Sequence, residues 1–198
     1  MRPGLIIGCV LCVAGCSSET SIETGKLAAE GATATIVEGQ SPNDSSKEKM
    51  LAAKDALFTR LTGRLMEAMS QGPAAAIAVC QQEAPAIAKA VSEEQELQIG
   101  RTGVRLRNQK NLPPAWAKEL VRDKVDTPTF VTLNNGNSAA LLPIKLQGQC
   151  LMCHGPKEQI APVIQEQLTK LYPNDQATGF QEGELRGWFW IVLPTSKM

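Results

Sequence analysis

The strongest constraint on this chain is a pentapeptide, Cys150-Leu151-Met152-Cys153-His154, which holds its only histidine. Two thiols three residues apart, followed at once by an imidazole, form CxxCH, the attachment site of a covalent c-type haem. The thiols are spaced for the two vinyl groups, and the imidazole then lies under the iron as its proximal ligand. A Cys3His zinc site drawn from Cys80, Cys150, Cys153 and His154 competes with this, but adjacent Cys153 and His154 suit a tetrahedron poorly. A redox-active CxxC pair would need a thioredoxin-like strand, turn and helix around it, which the flanking sequence lacks. The expectation is one haem c, held by Cys150 and Cys153 and ligated by His154.

Haem of this type is attached after export, and the N-terminus reads as an export signal. Arg2 supplies the positive charge, and the apolar stretch Gly4 to Gly15 is too short to span a bilayer. Val13-Ala14-Gly15-Cys16 resembles the lipobox of bacterial lipoproteins, so residues 1–15 are expected to be removed and Cys16 diacylated. Two acyl chains anchor stably where one would not. Residues 16–47 carry few large apolar side chains and read as a flexible tether with a reach of roughly 30 Å. Residues 48–198 then fit one haem domain on the periplasmic side of a bacterial membrane. Twenty Lys plus Arg against twenty Asp plus Glu leave no positive field for nucleic acid.

Within that domain Leu51, Leu57, Leu61, Leu65 and Met69 mark an amphipathic helix over Lys49 to Met69, ended by Gly72-Pro73. A second helix follows through Ala75, Ile77 and Cys80 to Val91, with Pro85 kinking or dividing it. Leu97 to Leu106 suggests one or two short strands, Asn108 to Pro114 is rich in turn residues, and Trp116 opens a short helix. Ala139 to Leu146 reads as a strand, Gly148 to Gly155 as the haem loop and Glu158 to Leu171 as a helix closed by Tyr172-Pro173-Asn174-Asp175. The last strand, Gly187 to Leu193, places Trp188 and Trp190 on one face and Phe189 on the other. Helices first and strands grouped around a late haem loop imply an α+β domain with an antiparallel sheet.

Cysteine arithmetic leaves one thiol over. Cys9 and Cys12 leave with the signal, Cys16 takes lipid, Cys150 and Cys153 take haem, and Cys80 stands alone. In an oxidising compartment such a thiol is buried, pairs between molecules or binds something. With a single imidazole, bis-histidine ligation within one chain is impossible, so the distal position falls to Met, Cys, Lys, Tyr or nothing.

Several fragments together resemble a known family. They are Val79-Cys80-Gln81 with Ala84-Pro85-Ala86-Ile87-Ala88, Ile99-Gly100-Arg101-Thr102, and Leu106-Arg107-Asn108 with Asn111-Leu112-Pro113-Pro114. CxxCH itself, Tyr172-Pro173-Asn174-Asp175, Ala177-Thr178-Gly179-Phe180 and Gly183-Glu184-Leu185-Arg186-Gly187 complete the set. The chain resembles the bacterial and cyanobacterial c-type haem domains with a PAS-like fold, which occur as stand-alone exported proteins and as sensory modules. The resemblance implies a PAS-like antiparallel sheet with N-terminal helices, and iron held by His154 and Cys80. Gly103 and Gln109 depart from it, standing where serine and proline are common. Arg101, Arg105, Arg107 and Arg186 lie near these motifs and become the expected partners of the haem propionates, since a guanidinium pairs with a carboxylate as a fork.

A thiolate donates charge to iron and favours its ferric state, so His/Cys ligation implies a low potential. Loss of Cys80 from the iron on reduction would open a place for CO or NO. The expected function is a redox or small-ligand sensor that passes its signal to a redox or signalling partner, with a low-potential electron carrier as the alternative. An enzyme is not expected, because the distal histidine usual in peroxide chemistry is missing.

Overall fold

The longest helix begins where a side chain can close it. Asn43 accepts the Ser46 N–H on Oδ1 at 2.8 Å, and α1 runs from there over Asp44–Ser70. Met50, Ala53, Leu57 and Leu61 recur every three or four residues and are buried. Leu57 and Leu61 take the core places expected of them, whereas at the start of the helix Met50 takes the place expected of Leu51, which is 39% exposed. The computed structural model describes residues 34–195.

The second helical region stays continuous through Pro85. It consists of α2 (Pro73–Ala78), a π-helical turn (Val79–Glu83) and α3 (Ala84–Glu94). Pro85 has no N–H for the four-residue ladder, and its ring would strike the Gln81 carbonyl. The wide turn ahead of it, closed by Ala84 N–H reaching back to Val79 O, lets the helix run on. Cys80 sits in that turn.

Strands β1 (Gln98–Thr102), β2 (Thr129–Thr132), β3 (Ser138–Lys145) and β4 (Leu185–Leu193) form one antiparallel sheet in the order β1-β4-β3-β2. Alternation along β4 buries both faces. Trp188 and Val192 pack with Leu141, Trp116 and Val121 on one side, where the short helix α4 (Lys118–Arg122) lies. Phe189 and Ile191 pack with Ile99, Leu142, the α1 residues Met50 and Leu57, and Val91 of α3 on the other. Register puts Arg101 opposite Phe189, on the helix-covered face and on the side of Cys80. After β3 come α5 (Leu151–His154) and α6 (Pro162–Leu171). The expected helix from Glu158 is delayed because Pro162 opens α6, a separate turn over Lys157–Gln159 preceding it. Strand β2 had no reading from the sequence.

Packed structure also starts earlier than the tether reading allowed. Ala34 is buried, Ile36 forms a bridge with Leu133, and Val37 N–H donates to Thr132 O at 2.9 Å. A single bridge needs only backbone groups and one apolar side chain, which the average composition of residues 16–47 hides. The expected signal at 1–15 and the lipidation site Cys16 lie outside the described residues. Among those described, no helix is long and apolar enough to cross a membrane.

Strand β1 passes close under an indole. A Cβ placed on Gly100 would lie 2.4 Å from Trp190 Cζ2. Gly100→Ala is therefore expected to cost about 1–3 kcal/mol through overpacking, read as a lower midpoint in chemical denaturation. An unchanged midpoint would mean that Trp190 turns aside freely.

Candidate functional site

The CxxCH segment folds as a 3₁₀ turn over Gly148–Cys150 running into α5. Cys150 and Cys153, three residues apart, therefore lie on one helical face. Cys150 packs beside Leu146, Ala177 and Phe180, while Cys153 borders the cluster of Ile77, Ile160, Ile164, Leu168 and Tyr172. Ile77 lies one helical turn before Cys80, and Gln81 Nε2 donates to Leu171 O at 2.7 Å, fastening the π-helical turn to the end of α6. These contacts bring Cys80 to the haem loop.

His154 is oriented by backbone. Its Nδ1 lies 2.7 Å from Ala177 O. A carbonyl can only accept, so Nδ1 carries the hydrogen and Nε2 keeps its lone pair. Arg186 Nε approaches the same Nδ1 at 3.4 Å. That longer contact cannot be a second hydrogen bond while Nδ1 is protonated, and the shorter one fixes the tautomer. Burial, followed by the charges of Arg107 and Arg186, holds the imidazole well below its usual pKa and thus neutral, as a metal ligand must be. Phe180 N–H donates to His154 O at 3.0 Å and Gly179 N–H to Gly155 O at 2.7 Å, so segment 175–180 zips along the haem loop. Phe180 also sets its ring edge to face against the imidazole, with centroids 6.3 Å apart.

The four arginines have different occupations. Arg107 is a strut: Nε donates to Asp175 Oδ2 at 3.0 Å, and Nη2 donates to Cys153 O at 2.5 Å and Ala177 O at 3.2 Å. Arg105 bonds Glu184 at 2.6 Å and Thr178 O at 3.0 Å, with its guanidinium 3.5 Å above the Phe180 ring. Arg186 donates from Nη1 to Arg105 O at 3.1 Å, and burial together with Arg107 and Arg101 pulls its pKa down to about 10. Gly103 belongs to this packing, since a Cβ there would meet Arg186 O at 2.9 Å and Nη1 at 3.0 Å. A serine at that position would displace Arg186. Arg101 makes no hydrogen bond or ion pair with the described residues. Burial lowers its pKa, and the acidic groups acting on it are Cys80 and Tyr172.

Burial pushes the Cys80 thiol up in pKa, against the pull of Arg101, Arg107 and Arg186. Around Cys80 and His154 there are thus three guanidiniums, with Asp175 as the carboxylate among them. Among the described residues no three of His, Cys, Asp and Glu converge as a cage for a bare metal ion. The donor set suits a haem c: two thiols on one helical face, a neutral imidazole with its Nδ1 engaged, a third thiol, Cys80, near enough to act on Cys153, and cations in excess of carboxylates. Two clefts border this cluster, one of about 190 Å³ beside Tyr172 and Asp175 and one of about 660 Å³ beside Arg105 and Phe180. Neither is lined by Cys80 or His154.

Sequence reasoning placed Ala177 in a motif but gave it no role, because it contributes only a carbonyl, which leaves no signal in residue type. It also took Asp175 for a helix stop, whereas the same residue pairs with Arg107 with both side chains 10% exposed. Phe180, 1% exposed, fills the space under Cys150 and Leu151. Phe180→Ala is expected to destabilise the fold by about 3–5 kcal/mol, measured by urea unfolding. A loss below about 1 kcal/mol would mean that the loop collapses into the gap.

The sequence matches the Tll0287-like family over residues 26–194. None of the curated proteins compared with it matches. Among solved structures it is similar to the crystal structure of the cyanobacterial heme-protein Tll0287, at 21% identity and a TM-score of 0.57, over 79% of this chain and 99% of that one. The similarity shows the shared α+β, PAS-like fold with its four-stranded antiparallel sheet. Matched from just before its first described residue to the end of β4, the chain belongs to the Tll0287-like family.

Proposed function

We propose that this protein is a mono-haem c-type cytochrome that senses redox state or a small ligand, whose iron His154 and Cys80 would ligate and whose haem Cys150 and Cys153 would hold through thioether bonds. The observation that carries the reading is one neighbourhood: a neutral His154 locked by Ala177, and a Cys80 held in a π-helical turn, both acted on by the charges of Arg101, Arg107 and Arg186. The similar cyanobacterial protein is described as a heme-protein, which supports the cofactor. Bound haem would supply an electron-accepting iron and, where a ligand position opens, a site for a diatomic gas.

The residues divide the remaining work. His154 would ligate the iron, its ring direction fixed by Ala177 O and its backbone by Phe180. Cys80 would supply a thiolate from the π-helical turn between α2 and α3. Arg101, the guanidinium of the four without a hydrogen-bond partner among the described residues, is the best placed to receive a propionate. Arg107 is occupied with the haem loop, and Arg105 with Glu184 and Phe180. With its single imidazole engaged as a ligand, the chain has no histidine left for distal acid–base work, and we read it as a binding module and not an enzyme. The export signal and Cys16 support a lipid-anchored position on the periplasmic side, where the signal would pass to a protein partner.

One observation favours the second reading, a low-potential electron carrier. Met152, inside the attachment loop, is 45% exposed, so one edge of the loop faces solvent.

Ferric electron paramagnetic resonance and ferrous absorption spectra of the matured protein beside Cys80→Ala test the proposal. A low-spin thiolate signal that the variant loses, with CO bound only after reduction, is the expected result. Ferrous coordination unchanged from ferric would remove the sensor and leave the carrier; identical spectra for both proteins would remove Cys80 as a ligand. Arg101→Met should lower the melting temperature of the matured protein but not that of the haem-free Cys150→Ala/Cys153→Ala chain. Equal losses in both would make Arg101 a structural residue only.

A further inference from the structure

The Ala177 carbonyl serves two donors. His154 Nδ1 lies 2.7 Å from it and Arg107 Nη2 3.2 Å. Arg107 is itself fixed on both sides, by Asp175 Oδ2 at 3.0 Å and by the carbonyl of Cys153, the residue next to His154. Asp175 closes the ring, since its Oδ1 accepts the Ala177 N–H at 2.8 Å. Arg107, Asp175 and Ala177 thus form one closed hydrogen-bonded circuit with its outlet at His154.

A carbonyl that accepts Nδ1–H raises the electron density of the imidazole and strengthens Nε2 as a donor. A cation bonded to the same oxygen draws density out of it and weakens that effect, more so where water is scarce. The Arg107–Asp175 pair is nearly buried, with both side chains 10% exposed. Asp175 in turn tempers the pull of Arg107 by neutralising its charge.

We infer that Arg107 is a positioning residue for His154, setting the donor strength of Nε2 through the Ala177 carbonyl they share. The inference rests on the reading of His154 as a haem ligand. Its role differs from that of Arg101, which shares no acceptor with the imidazole, and from that of Arg186, which approaches Nδ1 itself.

The experiment uses the matured full-length protein. Covalent haem and His154 ligation in the unmodified protein are established first by intact mass and by the ferric spectrum, and failure there rejects the function and not the coupling. The hyperfine-shifted Nδ1–H resonance of His154 and the reduction potential are then read in Arg107→Met, Arg107→Lys, Asp175→Asn and Arg101→Met. Arg107→Met should move the resonance and lower the potential, and Arg107→Lys, which keeps the charge, should restore much of both. Asp175→Asn frees the cation to act fully on Ala177, so both shifts should reverse sign. Arg101→Met removes a charge and the proposed propionate partner but no bond to Ala177, so it should change the potential while moving the resonance less than Arg107→Met does. A resonance unmoved in Arg107→Met, or in Asp175→Asn where Arg107→Met fails to mature, would overturn the inference even if the melting temperature falls.

Discussion

The bond from His154 Nδ1 to the Ala177 carbonyl is the contact on which the site depends. It decides the tautomer, points Nε2 away from the backbone and joins two segments that are far apart in sequence. Everything that holds Ala177 in place therefore also aims the imidazole: the Asp175 side chain on its N–H, Arg107 on its oxygen, and the pairing of Gly179 and Phe180 with the haem loop. Beneath that pairing Phe180 and Leu146 supply apolar support, so the precision of the site comes from packed side chains as well as polar links.

Charge gives the second constraint. Arg101, Arg107 and Arg186 gather where one carboxylate, Asp175, is near, and burial depresses the pKa of Arg101 and Arg186. Partly buried cations in such excess are costly unless an anion joins them. Two propionates and a cysteine thiolate are the kind of negative charge this arrangement accommodates, which links the electrostatics of the cluster to the cofactor chemistry of CxxCH. The π-helical turn supplies the remaining piece, carrying Cys80 on a helix that Pro85 would otherwise interrupt.

Much of this was legible in the residues. Alternation in Trp188, Phe189 and Trp190 marked a strand with Phe189 facing away from both tryptophans, and Leu57 and Leu61 marked the buried side of α1. What escaped has physical reasons. Strand β2 is four residues long and has too few positions to show a period. The arm at Ala34 to Val37 joins the sheet through backbone groups, which composition does not report. Four arginines near one set of motifs looked equivalent, and only their acceptors, carbonyls and carboxylates brought together by the fold, separate the strut Arg107 from the unpaired Arg101.

The proposed ligation has His154 and Cys80 hold one iron between them. X-ray absorption at the iron edge of the matured ferric protein reads this directly. One sulfur bound to the iron besides the nitrogens, lost in Cys80→Ala, is the expected result. A shell of nitrogens alone, or a sulfur that survives the substitution, would contradict it.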